Sequence, residues 1–474
     1  MVKICLAVGL ALLMGLLVLI DNKASWGIII FISISMFYII MGLKSGIVRA
    51  NQFVLYIIVF SIPFPFFIQF MRRDAITVTT LLISFLFVSL FISRQLKAIW
   101  HWSPKAEVLL PSILVIIFTI ALILNPVVIE QSFKIYLGYI SGILVYYLVV
   151  AIANKRRILV TILQIILGVL VGQFLLCLLY LRFPMVGKYL ICFGTRLSTA
   201  ESFLGVDRLK GTIGDFELLA EWFLVGTILA MGLIYQSKKN IYSIPFLCCF
   251  GGIVITRTRS DMTLAVFAIM LAFVVLSVFG RNSLAPSVRI IFLGLLGILF
   301  VILFAPKQGQ DIIARFIVYF GYRDILASEA INRKEVWDIA LNVFLREPKV
   351  FGNGFYIFEL SNDLQAMDFH SLYLTILYRI GIAGLGIHIL FWFTILRGGI
   401  LRLLRKRTNQ TWHLNMFLLM AVIMMLLDQI KVEYVRYVHT IQFAWLIFGL
   451  LAVCGKEQRE EHENTLVSSI TVGY

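Results

Sequence analysis

The sequence has few charged residues for its length. Only 14% of its 474 residues are Asp, Glu, Lys or Arg, whereas soluble domains carry roughly 25%. A chain that is 61% hydrophobic would expose large apolar surfaces if it folded as one water-soluble domain. The composition therefore excludes an ordinary soluble enzyme and indicates an integral membrane protein.

Several familiar signatures are also missing. The six cysteines show neither the spacing of a disulfide framework nor that of a metal site. The sequence has no P-loop, no Rossmann glycine fingerprint, no zinc pattern and no Asp-x-Asp motif for a nucleotide-sugar donor. We therefore expect no metal and no cofactor. We interpret the net charge of +16 by its distribution across a membrane, and we expect no nucleic-acid partner.

Long apolar segments recur along the whole chain and predict about fourteen transmembrane helices, with a range of 12–14. The predicted spans lie near 4–20, 26–43, 52–70, 76–93, 107–124, 135–153, 158–181, 215–235, 241–255, 262–280, 288–305, 371–396, 414–430 and 438–454. Lys and Arg concentrate in the short loops on one side, which predicts that both termini are cytoplasmic. We expect an all-α polytopic membrane protein in which residues 1–474 form a single transmembrane domain.

The longest segment between predicted spans is residues 306–369, which we expect to form a structured extracytoplasmic (periplasmic) loop. Within it, Trp337, Ala340, Leu341 and Phe344 follow the i, i+3, i+4, i+7 pattern. This pattern predicts an amphipathic helix that lies on the membrane surface. The glycine-rich stretch "FGNGFY" predicts a turn after it.

Acidic residues gather on the predicted outer side. The stretch "DRLKGTIGDFELLAEWF" places Arg208 before a glycine-containing turn and Asp215, Glu217 and Glu221 at the start of a span. Glu217 and Glu221 are four residues apart and share a helix face. A structural interpretation, in which acids near a helix N-terminus favour its dipole, is as good as a catalytic one for Asp215. The deeper Glu221 predicts a polar interior or a cationic partner.

Arginines also fall on this side. Arg257 and Arg259 share a very short connection in "VITRTRSD". They could anchor lipid headgroups, or they could bind a phosphate, because the guanidinium offers a planar fork of donors. Arg333 lies one turn before Trp337, where snorkelling or a cation–π contact is the alternative to a phosphate contact.

The stretch "DFHSLYLTILYRIGIAGLG" places His370 where the chain re-enters the membrane and Arg379 inside the span. A helix that begins at His370 puts Arg379 about 13 Å deeper and about 180° round. We therefore predict different roles for the two residues. His370 is the catalytic candidate, and Arg379 is a buried partner of Glu217, Glu221 or Asp428, or else a contact to the ligand from below.

Taken in order, these stretches resemble the bacterial O-antigen ligase and polymerase family over about residues 200–390. "RLKGTIGDFELLA" is similar to the family's Arg–Gly turn before a helix, and "TRTRSD" to its Ser–Arg–small signature, with Arg259 at the arginine position. The remaining pattern runs through Arg333, Trp337, Pro348, Gly352, Gly354, His370, Gly381 and Gly384. Ser371 stands where the family has Asn, and the usual Asn-Pro-Asn after Gly211 is missing.

The resemblance implies a metal-independent glycosyltransferase in the bacterial cytoplasmic (inner) membrane, with its site on the outer face. Its donor would be an oligosaccharide on undecaprenyl diphosphate, and an acceptor hydroxyl would attack the anomeric carbon. The four arginines Arg208, Arg257, Arg259 and Arg333 would bind the diphosphate. His370, or in reserve Asp215, would act as the base or orient the acceptor.

We expect polymerisation of O-antigen-like repeats. Ligation of glycan to the lipid A–core and O-oligosaccharyl transfer to protein are the close alternatives. A flippase and a chain-length regulator are candidate partners. A transporter or flippase of lipid-linked sugars is a different class that stays open, although the sequence shows no internal repeat and its ionisable residues gather at the outer ends of the spans.

Overall fold

A computed structural model describes most of the chain, namely residues 23–63, 67–70, 73–93, 105–124, 129–183, 198–201, 207–213, 215–237, 240–256, 258–279, 369–405, 411–454 and, in the long loop, 337–338, 341–342, 344–346 and 349–354. The helices of this part are α1 (Lys23–Ser45), α2 (Ile47–Ser61), α3 (Val78–Ile92), α4 (Lys105–Leu124), α5 (Ile129–Ile152), α6 (Arg156–Arg182), α7 (Phe216–Ser237), α8 (Ser243–Thr256), α9 (Arg259–Phe279), α10 (Leu372–Arg405), α11 (Trp412–Asp428) and α12 (Val438–Val453). Single turns of 3₁₀ helix span Asn240–Tyr242 and Tyr434–Arg436.

The helices match the predicted spans in position. Predicted spans 4–20 and 288–305 lie outside the described residues, and each of the others overlaps one described helix. Six of the described helices are long and apolar enough to cross a bilayer by themselves. The expected helical membrane protein is confirmed to this extent.

The predicted span 52–70 is wrong in its second half. Helix α2 ends at Ser61, and Phe67–Phe70 (β1) pairs antiparallel with Arg73–Thr77 (β2). Pro63 and Pro65 follow the helix in the sequence, and a proline supplies no N–H to continue it. The Thr77 side chain then accepts a hydrogen bond from the Thr80 N–H at 3.1 Å and caps α3.

A second pair of strands, Ser198–Glu201 (β3) and Asp207–Gly211 (β4), lies before α7. Gly211 ends β4 with φ +58°, a conformation that disfavours side chains. The Thr212 hydroxyl then donates to the Pro63 carbonyl at 2.7 Å. The predicted glycine turn is therefore present, and it ties the start of α7 to the end of α2.

Helix α7 lies at the centre of the bundle. Nearly all of its residues are buried, and it packs against α6, α8, α9 and α11. Helices α5 and α12 run side by side in the same direction, where a Cβ on Gly142 would lie 2.6 Å from Ile441 and Trp445. Small residues allow such close approach of helices inside a membrane.

Helix α10 is broken at Gly381, and the long loop docks onto the break. Gly381 has φ +71° and ψ −169°, so the carbonyls before it lose their helical partners. The N–H of Asn353 bonds the Tyr378 carbonyl at 2.8 Å, and the N–H of Gly354 bonds the Arg379 carbonyl at 2.9 Å. The "FGNG" turn therefore satisfies backbone groups that would cost free energy if left unpaired in a membrane.

Both partners of this contact require glycine. A Cβ on Gly381 would lie 2.2 Å from the Val350 carbonyl oxygen, and one on Gly352 would lie 2.5 Å from the Arg379 backbone. Both residues also have positive φ. The glycines of the long loop and of α10 thus form one backbone-to-backbone joint, which we call the glycine joint.

Candidate functional site

His370 lies at the entry to α10 in a strained backbone conformation. Its φ is +49°, and no other non-glycine residue in the described part of the chain has a positive φ. The flanking residues are held in place. The Phe369 carbonyl accepts from the Trp337 indole at 2.9 Å, and the Leu372 N–H donates to the Gln429 carbonyl at 3.0 Å. Such strain persists only where the surroundings fix it, and it often marks a functional position.

Arg436 connects the two residues predicted to be catalytic. Its Nη1 donates to Asp215 Oδ2 at 2.8 Å, and its Nη2 lies 3.3 Å from His370 Nδ1. The same Nη2 lies 3.9 Å from Glu433 Oε1. Arg436 comes from the 3₁₀ turn before α12, so three separate parts of the chain meet at one guanidinium.

The contact to Arg436 fixes the tautomer of His370. A guanidinium has only N–H donors, so Nδ1 of His370 must accept. A neutral His370 therefore carries its proton on Nε2. To take up a proton at Nδ1, the ring would have to give up its contact with Arg436.

Asp215 is a helix cap as well as an ion-pair partner. Its Oδ1 accepts from the backbone N–H groups of Glu217 at 2.8 Å and Leu218 at 3.2 Å. This is the geometry of an N-cap residue. Both carboxylate oxygens are thus engaged, one by the start of α7 and one by Arg436, so Asp215 positions the arginine.

Glu433 lies deeper, on the other side of Arg436. It is almost fully buried, and its Oε2 accepts from the Thr375 hydroxyl on α10. Tyr139 lies within electrostatic reach of both Glu433 and Arg379. The polar site therefore continues from His370 into the helix bundle.

Arg379 does not form the ion pair that the sequence predicts. It is only 7% exposed, and no salt bridge joins it to Glu217, Glu221 or Asp428. Its Nη1 has no hydrogen-bond partner in the described part of the chain. Gly352 of the long loop packs against the Arg379 backbone beside the break at Gly381.

A second cluster surrounds Lys431. Its Nζ lies 2.6 Å from Asp261 Oδ2 and 3.2 Å from Asp428 Oδ1. Burial acts to lower the pKa of Lys431, but the carboxylates of Asp428, Asp261 and Glu217 act more strongly together and raise the pKa above its usual value. Lys431 therefore remains a cation that neutralises buried carboxylates.

Gln429 connects the buried Glu221, near this lysine cluster, to the main chain of the 3₁₀ turn that holds Arg436. Its Nε2 donates to Glu221 Oε1 at 2.7 Å, and its Oε1 accepts from the Tyr434 N–H at 2.7 Å. Of the two surroundings predicted for Glu221, a polar interior is therefore present, and its direct partner is a neutral amide and not a cation. Glu221 also lies within electrostatic reach of Lys431.

The predicted phosphate-binding arginines are described only in part. Arg208 belongs to strand β4, opposite Ala200, and Arg259 is the first residue of α9. Asp261, two residues after Arg259, bonds Lys431, so the backbone of Arg259 lies at the same end of the bundle as His370. Arg257 and Arg333 lie outside the described residues.

The segment 429–437, which we call the 429–437 turn, was missed by sequence reasoning although it contributes Lys431, Glu433 and Arg436 to the site. It is a short connection between two apolar helices. The sequence did hold a signal, because "DQIKVEYVR" has four charged residues in nine positions where a plain hydrophobic hairpin needs none. Acids and bases that alternate in this way indicate internal pairing.

Residues 244–389 match the family model described as O-antigen ligase. This match to about a third of the chain supports a relation to the O-antigen ligase and polymerase family. The match confirms the family resemblance and contains the second, third and fourth of the stretches that carried it. The first stretch, with Arg208 and Asp215, lies before the matched region. No curated protein sequence matches the chain.

The family match assigns the chain to membrane glycan processing of the O-antigen ligase or polymerase type. It implies lipid-linked glycan substrates. The matched region ends at residue 389, so the 429–437 turn lies beyond it, yet that turn supplies the arginine that contacts His370.

Proposed function

We propose that this protein is a glycosyltransferase that polymerises O-antigen-like repeats carried on undecaprenyl diphosphate. One observation carries the proposal. His370, from the family-matched region, is held by Arg436 beside Asp215 at the end of the bundle where α7, α9 and α10 begin. A strained histidine with a fixed tautomer suits a reaction centre better than a structural contact.

The proposed reaction transfers a glycan from the lipid carrier to an acceptor sugar. The acceptor hydroxyl oxygen forms a bond to the anomeric carbon, and the bond from that carbon to the phosphate oxygen breaks. The electron pair leaves with the lipid diphosphate, and the proton of the acceptor hydroxyl passes to an oxygen of that leaving group. Arg208, Arg257, Arg259 and Arg333 are proposed to stabilise the negative charge that develops there, because preorganised cations lower the barrier.

Arg379 is a further candidate for the ligand side of the site. It is buried in α10, nine residues after His370, and its Nη1 lacks a partner within the described residues. Buried arginines in membrane proteins usually face a partner or a polar cavity. Since Glu221 bonds Gln429 and Asp428 pairs with Lys431, the proposal that Arg379 reaches the diphosphate from below gains support.

We propose that His370 acts through its Nε2–H group and not as a general base. Its Nδ1 is occupied by Arg436, so the neutral ring offers a donor on Nε2. Such a donor can orient a substrate oxygen or stabilise the leaving diphosphate. Asp215 then acts through Arg436, as a positioning residue.

The site is proposed to face the periplasm or cell exterior from the cytoplasmic membrane. This follows from the distribution of Lys and Arg in the sequence, since the end opposite His370 carries the basic loops. In that arrangement a flippase would deliver the donor, and a chain-length regulator would act on the product.

Ligation is the second candidate function, because the matching family model is described as O-antigen ligase. A ligase would use the same donor and the same leaving group. Only the acceptor differs. A ligase would use the lipid A–core, whereas a polymerase would use a second lipid-linked repeat.

Complementation of a deletion strain tests the proposal. The strain would express wild type, Arg259→Ala, His370→Ala, or Arg397→Ala as a control at the opposite end, and glycan chain length would be read on gels. If the protein is a polymerase, we expect a strain without active protein to make glycan of a single repeat. If it is a ligase, that strain should accumulate long glycan chains that stay on the lipid carrier. Normal glycan with Arg259→Ala or His370→Ala contradicts the site, and the amount of each folded variant is checked by fluorescence-detected chromatography.

The role of His370 is tested by two replacements. Gln can place an N–H donor near the position of Nε2, whereas Ala cannot. If Nε2 donates, His370→Gln retains clearly more activity than His370→Ala, whose loss is about 10²–10³-fold. Equal loss in the two variants would support a general base instead.

A further inference from the structure

We propose that a cavity at the end of the bundle opposite His370 binds one anionic diacyl phospholipid. The cavity has a volume of about 880 Å³ and lies between the end of α1, the start of α2 and the start of α6. Three basic side chains line it, Arg49, Lys155 and Arg157. All three are exposed.

The cavity carries positive charge without compensation. Its lining residues include no Asp or Glu, and within the described part of the chain no ion pair engages Arg49, Lys155 or Arg157. Three cations around one concave surface repel each other and favour an anion between them. Arginine in particular matches the oxygens of a phosphate diester.

The remaining walls of the cavity suit acyl chains. Met41, Phe53 and Ile158 line it beside the basic residues. Val48, which also lines the cavity, is 56% exposed, and Leu43 on the adjoining helix surface is 86% exposed, as expected for side chains that face lipid. A soluble anion such as phosphate would leave these apolar walls uncovered, whereas a phospholipid covers them.

The backbone contributes the shape of the site. Gly46 links α1 to α2 with φ +87°, and a Cβ there would meet nothing within 4 Å. A second cavity of about 650 Å³ shares Arg157 and Thr161 with the first. Arg157 therefore lies between two spaces, and polar residues such as Gln164, Gln236 and Tyr242 line most of the second one. Basic pockets between transmembrane helices bind anionic headgroups in this way.

Lipid titration of the purified full chain, read by native mass spectrometry, tests this proposal. Phosphatidylglycerol is compared with phosphatidylcholine on wild type, Arg49→Gln/Arg157→Gln and Arg397→Gln. Arg397 is the matched control, because it is an exposed arginine at the same end of the bundle that does not line the cavity. We expect wild type and Arg397→Gln to bind phosphatidylglycerol at least about tenfold more tightly than phosphatidylcholine.

The double variant is expected to lose about 25-fold in affinity for phosphatidylglycerol, or roughly fivefold for each charge removed. If the double variant does not fold, Arg49→Gln and Arg157→Gln are measured separately, and each is expected to lose about fivefold in affinity for phosphatidylglycerol. The proposal is overturned if wild type does not discriminate between the lipids, or if Arg397→Gln loses as much as the cavity variants. It is also overturned if inorganic phosphate competes as well as the lipid, which would show an anion site.

Discussion

The two ends of the helix bundle hold their half-buried arginines differently. Arg402, at the end opposite His370, donates to the Leu451 carbonyl at 2.6 Å and to Asn415 at 3.1 Å. Arg436 instead joins the carboxylate of Asp215 to the ring of His370. The first arginine bonds groups near helix ends and lies within electrostatic reach of the buried Glu107. The second orients a side chain that can act on a ligand. Similar burial thus serves packing at one end and chemistry at the other.

The largest effect is expected on stability, when the cation of the lysine cluster is removed. Lys431→Met leaves Asp261 and Asp428 buried without their partner, which costs about 4 kcal/mol. The measurement is the free energy or midpoint of thermal unfolding in detergent. Lys431→Arg keeps the charge and should recover most of the loss. An unchanged midpoint for Lys431→Met would contradict the pairing.

The next effect is on activity. Arg436→Gln removes the charged donor that fixes His370, and we expect about a 100-fold loss of glycan transfer, or about 2.7 kcal/mol in the barrier. Arg436→Lys keeps the charge but lacks the two guanidinium nitrogens that contact Asp215 and His370 together. We therefore expect a loss of glycan transfer between those of wild type and Arg436→Gln. The proposed difference between the two ends is wrong if Arg436→Gln is folded and transfers glycan as fast as wild type.

The glycine joint should respond to a single methyl group. Gly381→Ala places a Cβ 2.2 Å from the Val350 carbonyl and forces a positive φ on alanine, for a loss of roughly 2 kcal/mol. Gly386→Ala, in the same helix, meets nothing within 4 Å and should be neutral or slightly stabilising. Equal unfolding midpoints for the two variants would mean that the loop does not dock at the break.

The smallest effect is expected at the opposite end. Arg402→Gln loses its hydrogen bonds to the Leu451 carbonyl and Asn415 and its attraction to Glu107, and it should cost about 1.5 kcal/mol of stability. Glycan transfer per folded molecule should stay within about twofold of wild type, because this site is remote from His370. A large loss of specific activity would show that the two ends are coupled.

Much of the fold could be predicted from the sequence, because a long apolar segment predicts a membrane helix. The positions of the described helices, the glycine turn at Gly211 and the helical conformation of the described residues around Trp337 follow from local patterns. The hairpin after Ser61 was not predicted, because the apolar residues around Pro63 and Pro65 have the composition of a continuing span. A strand and a helix of similar hydrophobicity differ in backbone hydrogen bonding, which composition does not record.

The candidate site was predictable only in its single residues. His370 and Asp215 stood out by position, but Arg436 lies 221 residues from Asp215, and no periodicity links the two. The same holds for Arg379, whose environment depends on the break at Gly381. A contact between distant segments is set by how helices pack, and it becomes visible only when the bundle is assembled.

The glycine joint constrains the order in which the chain can be completed. Residues 349–354 leave the ribosome before Tyr378 and Arg379, whose carbonyls accept their N–H groups. The turn must therefore wait until α10 has been inserted and broken at Gly381. Docking of the long loop is then a late step of biogenesis, and a chain that fails to insert α10 leaves the loop without its anchor beside His370.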